Sequence, residues 1–432
     1  MMPALAPSAD AGEEAAATPP HLRECRDCGQ IQVVPAMPPS ARAVCLRCNA
    51  VLRHTHHEPL MAPLALHTAA LVMLAISAGT MLLSVSSFGM YQAASLFSGP
   101  AGLEQHGMWG LALLVLLTTF VIPLLKLLAV SAVLIGLQLP RPPGWLRRLF
   151  AWADRLRPWS MIEIYLLGLF VAYSRLGKVV TVDIGPAVYA LGALMLTMVA
   201  ADYALDRQAV WEAMERRGLH RAPPRRTGSE GPPVRLGCDT CGLVSRAEPG
   251  SPCPRCASAL HHRKPFSIAR TWALGLSALI LYVPANYYPV LTVIRLGWGQ
   301  PSTIIGGVEE LIAAGLWPLA ALVFFASIVV PGLKLIGLGV LLISTQRGSR
   351  RRLRDRTRLY RIVDSIGRWS MIDIFMGSIL VALLQFGIIA RVTPGFGAVA
   401  FAAVVVLTML AAQSFDPRLM WDAAGVQAEY QE

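Results

Sequence analysis

The chain of 432 residues contains two copies of one sequence unit, and this repeat restricts its fold more than any other feature. Pro123 and Lys126 lie in one apolar run and recur, with the same spacing, as Pro331 and Lys334 in a second. Three further landmarks recur in the same order: WSMIEI at 159–164 as WSMIDI at 369–374, LTM at 196–198 as LTM at 407–409, and WEA at 211–213 as WDA at 421–423. This ordered recurrence indicates an internal duplication, with units of roughly 1–215 and 216–432.

Long apolar segments predict an α-helical polytopic membrane protein. Hydrophobic residues make up 55% of the chain and charged residues 15%, and the mean hydropathy is +0.52. A helix needs about 20 apolar residues to cross a bilayer, and four segments in each half are long enough. They are predicted at 60–84, 107–138, 159–177 and 183–203, and at 267–289, 308–344, 369–390 and 394–414. Pro123 and Pro331 predict kinks in the second and sixth segments.

The distribution of arginine predicts the orientation of the chain. The loops that follow the second and sixth segments are basic: they contain Arg141, Arg147, Arg148, Arg155 and Arg157, and Arg347, Arg350, Arg351, Arg352, Arg354, Arg356, Arg358 and Arg361. Residues 85–106, on the opposite side, contain no lysine or arginine. Because positively charged loops stay in the cytoplasm, both termini and the cysteine-rich segment that opens each unit are predicted to be cytoplasmic. The net charge of +12 therefore reflects membrane topology and does not indicate a nucleic-acid partner.

All eight cysteines occur in CxxC pairs, two pairs in each half: Cys25/Cys28 with Cys45/Cys48, and Cys238/Cys241 with Cys253/Cys256. Two CxxC turns direct four thiolates at one ion, which predicts a zinc ribbon in each half. Four thiolates saturate zinc, so both sites are predicted to be structural. Disulfides are disfavoured by the cytoplasmic placement, whereas a rubredoxin-like iron site uses the same turns and remains an alternative. Each ribbon is expected to brace the membrane unit that it precedes.

These features predict six segments along the chain. They are a disordered tail at 1–20, zinc ribbon 1 at 21–58, transmembrane module 1 at 59–215, a linker at 216–235, zinc ribbon 2 at 236–264 and transmembrane module 2 at 265–425.

Lys334 is the most informative polar residue, because it lies far from both ends of an apolar segment. A charged side chain at mid-membrane costs about 2.5–3.5 kcal/mol on insertion scales. Such a residue is expected to face a water-filled path or a polar partner. Ser327 lies two helical turns earlier on the same face. Lys126 is the counterpart in the first half, and both lysines have long side chains that can alternatively reach the membrane surface.

Further polar residues in the apolar segments predict a path through the second half. Ser370 and Asp373 share one helix face, and Thr408 lies mid-segment. With Ser327 and Lys334 they form a predicted network in which a desolvated lysine exchanges protons. Asp183 is a weaker candidate member. The alternatives are that the hydroxyls bond the carbonyl one turn back, and that Asp373, like Glu163, pairs with an arginine at the cytoplasmic face.

The sequence contains no P-loop, no Gly-rich strand-to-helix turn and no catalytic triad. The protein is therefore predicted not to be an enzyme. Energy for any transport is expected to come from an ion gradient, a lipid gradient or a partner.

The paired CxxC ribbons, the P-x-x-K helices and the W-S-M-I-[DE] motifs at 159–163 and 369–373 together resemble the paraquat-inducible protein A family of bacterial inner-membrane proteins. The resemblance implies phospholipid traffic between the inner and outer membranes, in company with a periplasmic MCE-domain protein that forms a hexameric tunnel. It also implies that Lys334 and the hydroxyls at 327, 370 and 408 belong to a polar network.

Two other functions fit the same residues. A membrane redox protein would hold iron in its four-cysteine sites and pass electrons between them. A non-transporting scaffold or sensor would bind a cytoplasmic partner through its ribbons, and its function would survive the loss of Lys334.

Overall fold

The computed structural model describes residues 21–87, 90–177, 181–219, 234–295, 298–384 and 390–426. The predicted tail at 1–20 and residues 220–233 of the predicted linker lie outside the described residues.

The first half begins with two short hairpins and continues with helices. Its strands are β1 His21–Glu24, β2 Ile31–Val34, β3 Arg42–Val44, β4 Val51–His54, β5 Leu83–Ser87, β6 Met90–Ala94 and β7 Thr181–Ile184. Its helices are α1 Met61–Gly79, α2 Ser98–Gln105, α3 Trp109–Leu116, α4 Ile122–Gly136, α5 Leu146–Leu156, α6 Ile162–Leu176, α7 Pro186–Ala204 and α8 Arg207–Arg216.

The second half repeats this order, except that an isolated bridge between Pro252 and Ala259 replaces the second hairpin. Its strands are β8 Val234–Gly237, β9 Val244–Ala247, β10 Leu291–Arg295, β11 Trp298–Ser302 and β12 Ala390–Pro394. Its helices are α9 Ser267–Tyr287, α10 Ile304–Ala313, α11 Trp317–Phe324, α12 Val330–Gln346, α13 Leu353–Ile366, α14 Ile372–Leu383, α15 Phe396–Ser414 and α16 Arg418–Ala423.

Seven helical segments in the described part of the chain are long and apolar enough to cross a membrane. They are Met61–Gly79, Trp109–Gly136, Pro186–Ala204, Ser267–Tyr287, Trp317–Gln346, Leu353–Leu383 and Phe396–Ser414. The predicted segment at 159–177 corresponds to α6, which has 15 residues. The chain is therefore a mostly helical, multi-pass membrane protein, as the sequence predicted.

A π-helical turn precedes each of the two intramembrane prolines. The turns cover Leu117–Val121 and Phe325–Val329, and each is continuous with the helices on both sides. Pro123 and Pro331 have no N–H to bond the carbonyl four residues earlier, and their rings would crowd that carbonyl. The wider turn accommodates this conflict within one long helix. The predicted kinks are therefore π-turns at the positions of Thr119 and Ser327.

Two three-stranded antiparallel sheets, which the sequence analysis did not predict, lie between the helices. Strand β5 pairs with β6 and β7, and β10 pairs with β11 and β12. The first and fourth predicted apolar segments included residues of these strands. Each sheet turns tightly into the next helix at a glycine. A Cβ atom at Gly185 would collide with the carbonyl of Met81, and one at Gly395 with the carbonyl of Pro289.

The two membrane modules meet along helices α6 and α14. Tyr165 and Phe375 pack edge to face, with ring centroids 5.6 Å apart. Gly168 lets the helices approach closely, since a Cβ atom there would lie 3.1 Å from Phe375 Cβ and 3.2 Å from the Ile372 carbonyl oxygen. One hydrophobic core extends through both modules at this seam.

Each ribbon packs its cysteines against the opposite module, which corrects the expectation that each would pack on the module it precedes. The four cysteines of ribbon 1 share a buried apolar cluster with Leu341, Phe415 and Trp421 of the second half. The four cysteines of ribbon 2 share one with Phe150 and Trp211 of the first half. Both apolar surfaces come from corresponding helices of a module: α4, α5 and α8 in the first, and α12, α13 and α16 in the second. The ribbons therefore cross over between the modules.

Candidate functional site

Each ribbon brings its four cysteines together in a buried cluster. All four sulfur atoms lie within 4.8 Å of one another in both ribbons. Cys25 Sγ lies 3.5 Å from Cys48 Sγ, and Cys28 Sγ lies 3.6 Å from Cys45 Sγ. In ribbon 2 the corresponding distances are 3.4 and 3.6 Å. No cysteine in either cluster forms a disulfide.

The arrangement of sulfurs fits a tetrahedral metal ion. Zinc–thiolate bonds of about 2.3 Å place the sulfurs of a regular tetrahedron about 3.8 Å apart, close to the distances in both clusters. Asn49, Gly29 and Gly242 follow second cysteines of CxxC pairs and have positive φ angles of 60°, 73° and 71°. These left-handed turns direct the neighbouring thiols inward. Each cluster can therefore bind a metal ion through four cysteines.

Bidentate arginine–carboxylate pairs connect each ribbon to the last helix of its own half. Arg53 Nη1 and Nη2 donate to the two carboxylate oxygens of Glu212, at 2.8 and 3.0 Å. Arg263 donates to both carboxylate oxygens of Asp422, at 2.6 and 2.9 Å. Glu212 and Asp422 are the acids of the repeated WEA and WDA landmarks. The ribbons therefore contact both modules: the cysteines pack on one and the arginine binds the other.

A buried ionic cluster joins the ribbons to α16. Arg418 lies 3.1 Å from Glu24 of ribbon 1, 3.0 Å from Asp239 of ribbon 2 and 2.9 Å from Asp416. Burial would raise the pKa of Asp416, but the hydrogen bonds and charge of Arg418 lower it below its usual value. Burial raises the pKa of Glu24, although Arg418 opposes the shift. One arginine thus holds three carboxylates from three parts of the chain.

Lys334 is almost completely buried, with 1% of its surface exposed. Its Nζ donates to Thr408 Oγ1 at 2.8 Å and to the Gly367 carbonyl at 3.4 Å. Thr408 in turn donates to the carbonyl of Val405 one turn back. Among the described residues no carboxylate lies within ion-pair distance of Lys334. The lysine is therefore bound by neutral oxygens in the interior of the second module.

Ser327, Ser370 and Asp373 lie in the same region of that module. The Ser327 hydroxyl lies beside the Asp373 carboxyl. All three side chains are buried, and Ser327 Oγ, Ser370 Oγ and Asp373 Oδ1 have no hydrogen-bond partner in the described part of the chain. Buried hydroxyl and carboxyl atoms without partners are costly. These unsatisfied atoms mark a polar interior next to the π-turn that contains Ser327.

As an alternative, Glu163 and Asp373 were both expected to pair with an arginine at the cytoplasmic face, and the two acids differ in this respect. Glu163 lies 4.0 Å from Arg368, across the seam between the modules. Asp373 is 6% exposed and forms no ion pair in the described part of the chain. The structure therefore places Glu163 at the surface and Asp373 in the interior.

Lys126 has a different environment from its counterpart. Its Nζ lies 2.7 Å from Asp202 Oδ2, and Arg157 Nε lies 3.6 Å from the same oxygen. Asp202 was not among the residues that the sequence singled out. The signal that identifies it is its position in α7, one turn after the repeated LTM motif, where the second half has Gln413.

Asp183 lies apart from both lysines. It is exposed in strand β7, where its backbone pairs with Ser84. The structure therefore joins Lys334 to Thr408 and places Ser327 beside Asp373, whereas Lys126 and Asp183 lie elsewhere. The five-residue network in module 2 stays a prediction.

A cavity of about 1530 Å³ opens between the two ribbons and the two modules. We call it the ribbon vestibule. Its lining includes Lys126 and Asp202 from the first module, Lys334 and Asp364 from the second, and Arg23 and Asp239 from the ribbons. A polar cavity of this size has room for many water molecules. Both intramembrane lysines therefore border one shared polar space.

Sequence comparisons agree with the duplicated architecture. A profile of the family "Paraquat-inducible protein A" matches residues 60–215 and 268–425, which are the two membrane modules. No solved structure matches the chain.

Named relatives are similar along nearly their whole length. The chain is 30% identical over 399 residues to "Intermembrane transport protein PqiA" of Escherichia coli K12, covering 92% of this chain and 95% of that protein. It is 28% identical over 401 residues to "Lipophilic envelope-spanning tunnel protein A" of the same strain, covering 93% and 91%. It is 26% identical over 416 residues to a "Probable intermembrane transport protein" of Haemophilus influenzae, covering 93% and 95%. Since both modules match the profile and the similarity extends over most of the chain, the protein belongs to the Paraquat-inducible protein A family.

Proposed function

We propose that this chain is the inner-membrane subunit of a system that moves phospholipid between the bacterial inner and outer membranes. In this role it loads lipid onto, or extracts lipid from, a periplasmic MCE-domain tunnel protein. The proposal is supported by relatives that are named intermembrane transport protein and lipophilic envelope-spanning tunnel protein. The duplicated membrane modules and the predicted absence of a catalytic site favour transport over an enzymatic reaction.

We place both ribbons, both termini and the arginine-rich helices α5 and α13 in the cytoplasm, following the positive-inside rule. The two three-stranded sheets then face the periplasm, on the side of the proposed tunnel partner. Lipid would enter or leave the modules on that side.

The observation that carries the proposal is the difference between the two intramembrane lysines. Lys126 forms an ion pair with Asp202 at 2.7 Å, whereas among the described residues Lys334 hydrogen-bonds Thr408 and a backbone carbonyl and has no acidic partner. An ion pair fixes the charge of Lys126. The charge of Lys334 lacks such a partner and can change with the proton occupancy of the site. We assign the working polar network to module 2 and propose that transport is coupled to protons there.

We assign zinc to both four-cysteine clusters. When bound, the ion supplies a tetrahedral structural crosslink, and its four thiolates leave no position for a substrate. Cys25, Cys28, Cys45 and Cys48 would hold one ion, and the four cysteines of ribbon 2 the other. Metal analysis of the purified, full-length protein tests this assignment. Two zinc ions per chain support it, and two iron ions with a visible absorption band would favour the redox function.

Complementation with two matched variants tests the transport proposal. Lys334→Ala and Lys126→Ala are expressed in a strain that lacks this chain, and detergent sensitivity is measured at equal protein abundance. We expect Lys334→Ala to lose at least about tenfold in tolerated detergent, because it removes the charge that changes during transport. Lys126→Ala should retain most of the function per molecule. Full complementation by both variants would reject coupled transport and favour the scaffold function.

Co-purification tests the proposed partner. The full-length chain, isolated in mild detergent from its native membrane, should carry an MCE-domain protein. A complex that contains no such protein, from cells that produce one, would contradict the proposal.

A further inference from the structure

Two aspartates occupy equivalent positions five residues before the repeated WSM motif: Asp154 in the first half and Asp364 in the second. Asp154 lies 2.5 Å from Arg207 and is partly buried. Proline occupies the position that corresponds to Arg207 in the second half, at residue 417. Asp364 is exposed and lies within ion-pair distance of no described residue. Asp154 is therefore neutralised by an ion pair, whereas its counterpart Asp364 forms no ion pair with a described residue.

The same difference separates the two lysines. Lys126 is paired with Asp202, and the residue that corresponds to Asp202 in the second half is Gln413. The first module thus contains two closed ion pairs. At the same positions the second module contains an acid and a base that form no ion pair with each other or with any third charged group among the described residues.

The unpaired acid and base both line the ribbon vestibule. Lys334, Asp364 and Gly367 contribute to its wall, whereas Ser327, Ser370 and Asp373 are not among the described residues that line it. The Asp364 carboxyl lies within electrostatic range of Lys334. Asp154, its counterpart, does not contribute to the vestibule wall in the described part of the chain. Lys334 therefore borders the vestibule, whereas the buried Ser327, Ser370 and Asp373 are not among the described residues that line it.

We propose that Asp364 relays protons between Lys334 and the water of the ribbon vestibule. The inference rests on the proposed function. It adds Asp364 as the residue that transfers the proton and the ribbon vestibule as the water-filled space that the proton reaches. In the relay the N–H bond of the Lys334 ammonium breaks and an O–H bond forms on the Asp364 carboxylate, through intervening water. The products are a neutral amine and a neutral carboxylic acid. The acid then releases its proton to vestibule water, and the reverse sequence reloads the lysine.

Other charged groups surround this relay. Lys264, which precedes α9, and Arg368, which precedes α14, both face Asp364 electrostatically and favour its charged form. Asp27 of ribbon 1 acts on it in the opposite sense. Thr408 on α15 and the carbonyl of Gly367 hold the lysine. The two positive groups oppose the desolvation that favours the neutral acid, and the vestibule supplies the exit.

Chemical labelling tests the accessibility of Asp364 without relying on transport. Inside-out membrane vesicles that contain the full-length wild-type chain are treated with a water-soluble carbodiimide and glycine methyl ester. Peptide mass spectrometry then compares the two aspartates. We expect Asp364 to be modified at least about tenfold faster than Asp154, since the latter is paired with Arg207. Equal rates, or protection of Asp364, would overturn the proposal.

Complementation by variants tests the relay itself. At equal abundance, Asp364→Asn should lower the tolerated detergent concentration about as far as Lys334→Ala does, roughly tenfold or more. Asp364→Glu should restore most of the function because it keeps a titrating carboxyl, and Asp154→Asn should stay within about threefold of wild type. Loss with Lys334→Ala but full function with Asp364→Asn would reject the relay and leave the transport proposal intact. Full function with both variants would reject the transport proposal itself.

Discussion

Arg53 and Glu212 form two parallel hydrogen bonds, although 159 residues separate them in the sequence. Their exposed fractions are only 4% and 9%. Arg53 also lies 3.5 Å from Asp206, so one arginine of ribbon 1 neutralises two carboxylates at the start and middle of the last helical region of the first half. The pair is one of two equivalent attachments between a ribbon and its own half.

Removing this arginine should destabilise the protein strongly. Arg53→Gln leaves two buried carboxylates with less neutralisation, and breaking a buried pair of this kind costs about 3 kcal/mol. We expect a clear fall in the thermal midpoint, measured by fluorescence-detected size-exclusion chromatography. Arg155→Gln is the matched control, because Arg155 is exposed and, in the described part of the chain, forms no ion pair and hydrogen-bonds Ser258 at 3.4 Å. Equal midpoints for the two variants would show that the pair contributes no net stability.

Loss of metal from one ribbon should loosen the opposite module. Cys28→Ser disrupts ribbon 1, whose cysteines pack on Leu341, Phe415 and Trp421 of the second half. Hydrogen exchange should therefore accelerate most in α12 and α16, and Cys241→Ser should accelerate it most in α5 and α8. Total abundance is expected to fall for both variants. Faster exchange confined to the ribbon's own module would contradict the crossed packing.

Replacing the two intramembrane lysines by methionine should shift stability in opposite directions. Lys334→Met removes a buried charge that has no acidic partner among the described residues, and should stabilise the protein by about 1–3 kcal/mol. Lys126→Met leaves Asp202 with Arg157, at 3.6 Å, as its remaining ion-pair partner among the described residues, and should destabilise the protein. Denaturation in mixed micelles measures both effects. Shifts of the same sign would show that the ion pair does not distinguish the two sites.

The seam between the modules should tolerate no added side chain at Gly168. Gly168→Ala places a methyl group 3.1 Å from Phe375 Cβ and about as close to backbone atoms of α14, which cannot shift easily. We expect a loss of about 1–3 kcal/mol. Gly192→Ala in α7 is the control, because nothing lies within 4 Å of a Cβ atom at that position. That change should be neutral or slightly stabilising. A neutral Gly168→Ala variant would mean that the seam is loosely packed.

The repeat, the membrane helices and the cysteine clusters were predictable because each rests on a local pattern. CxxC spacing brings four sulfurs together, and apolar length predicts helices that cross a bilayer. The crossed packing of the ribbons was not predictable in this way. It depends on contacts between residues such as Cys48 and Arg361, which are far apart in sequence and whose pairing no periodicity records.

Other missed features have specific physical causes. The strands β5 and β10 have only five residues each and lie close after membrane helices. Hydropathy alone merged the start of β5 with its helix and gave no signal for β10. The sequence signal for the π-turns at Thr119 and Ser327 was limited to the prolines that follow them, which predicted kinks and not π-turns. The sequence shows Asp202 and Asp364 as acids but does not show their partners. Their roles emerge only when the ion pairs of one half are compared with the corresponding positions of the other.

The crossed ribbons also have a consequence for biosynthesis. Ribbon 1 is made first, yet Cys48 contacts Arg361, which lies 313 residues later. At about 5–20 residues per second, the ribbon waits about 15–60 s for the surface that covers it. Until then its apolar face is open to chaperones and proteases. A chain whose synthesis stops before the last helix cannot bury this face. The exposed apolar surface would then make the truncated product a target for proteases.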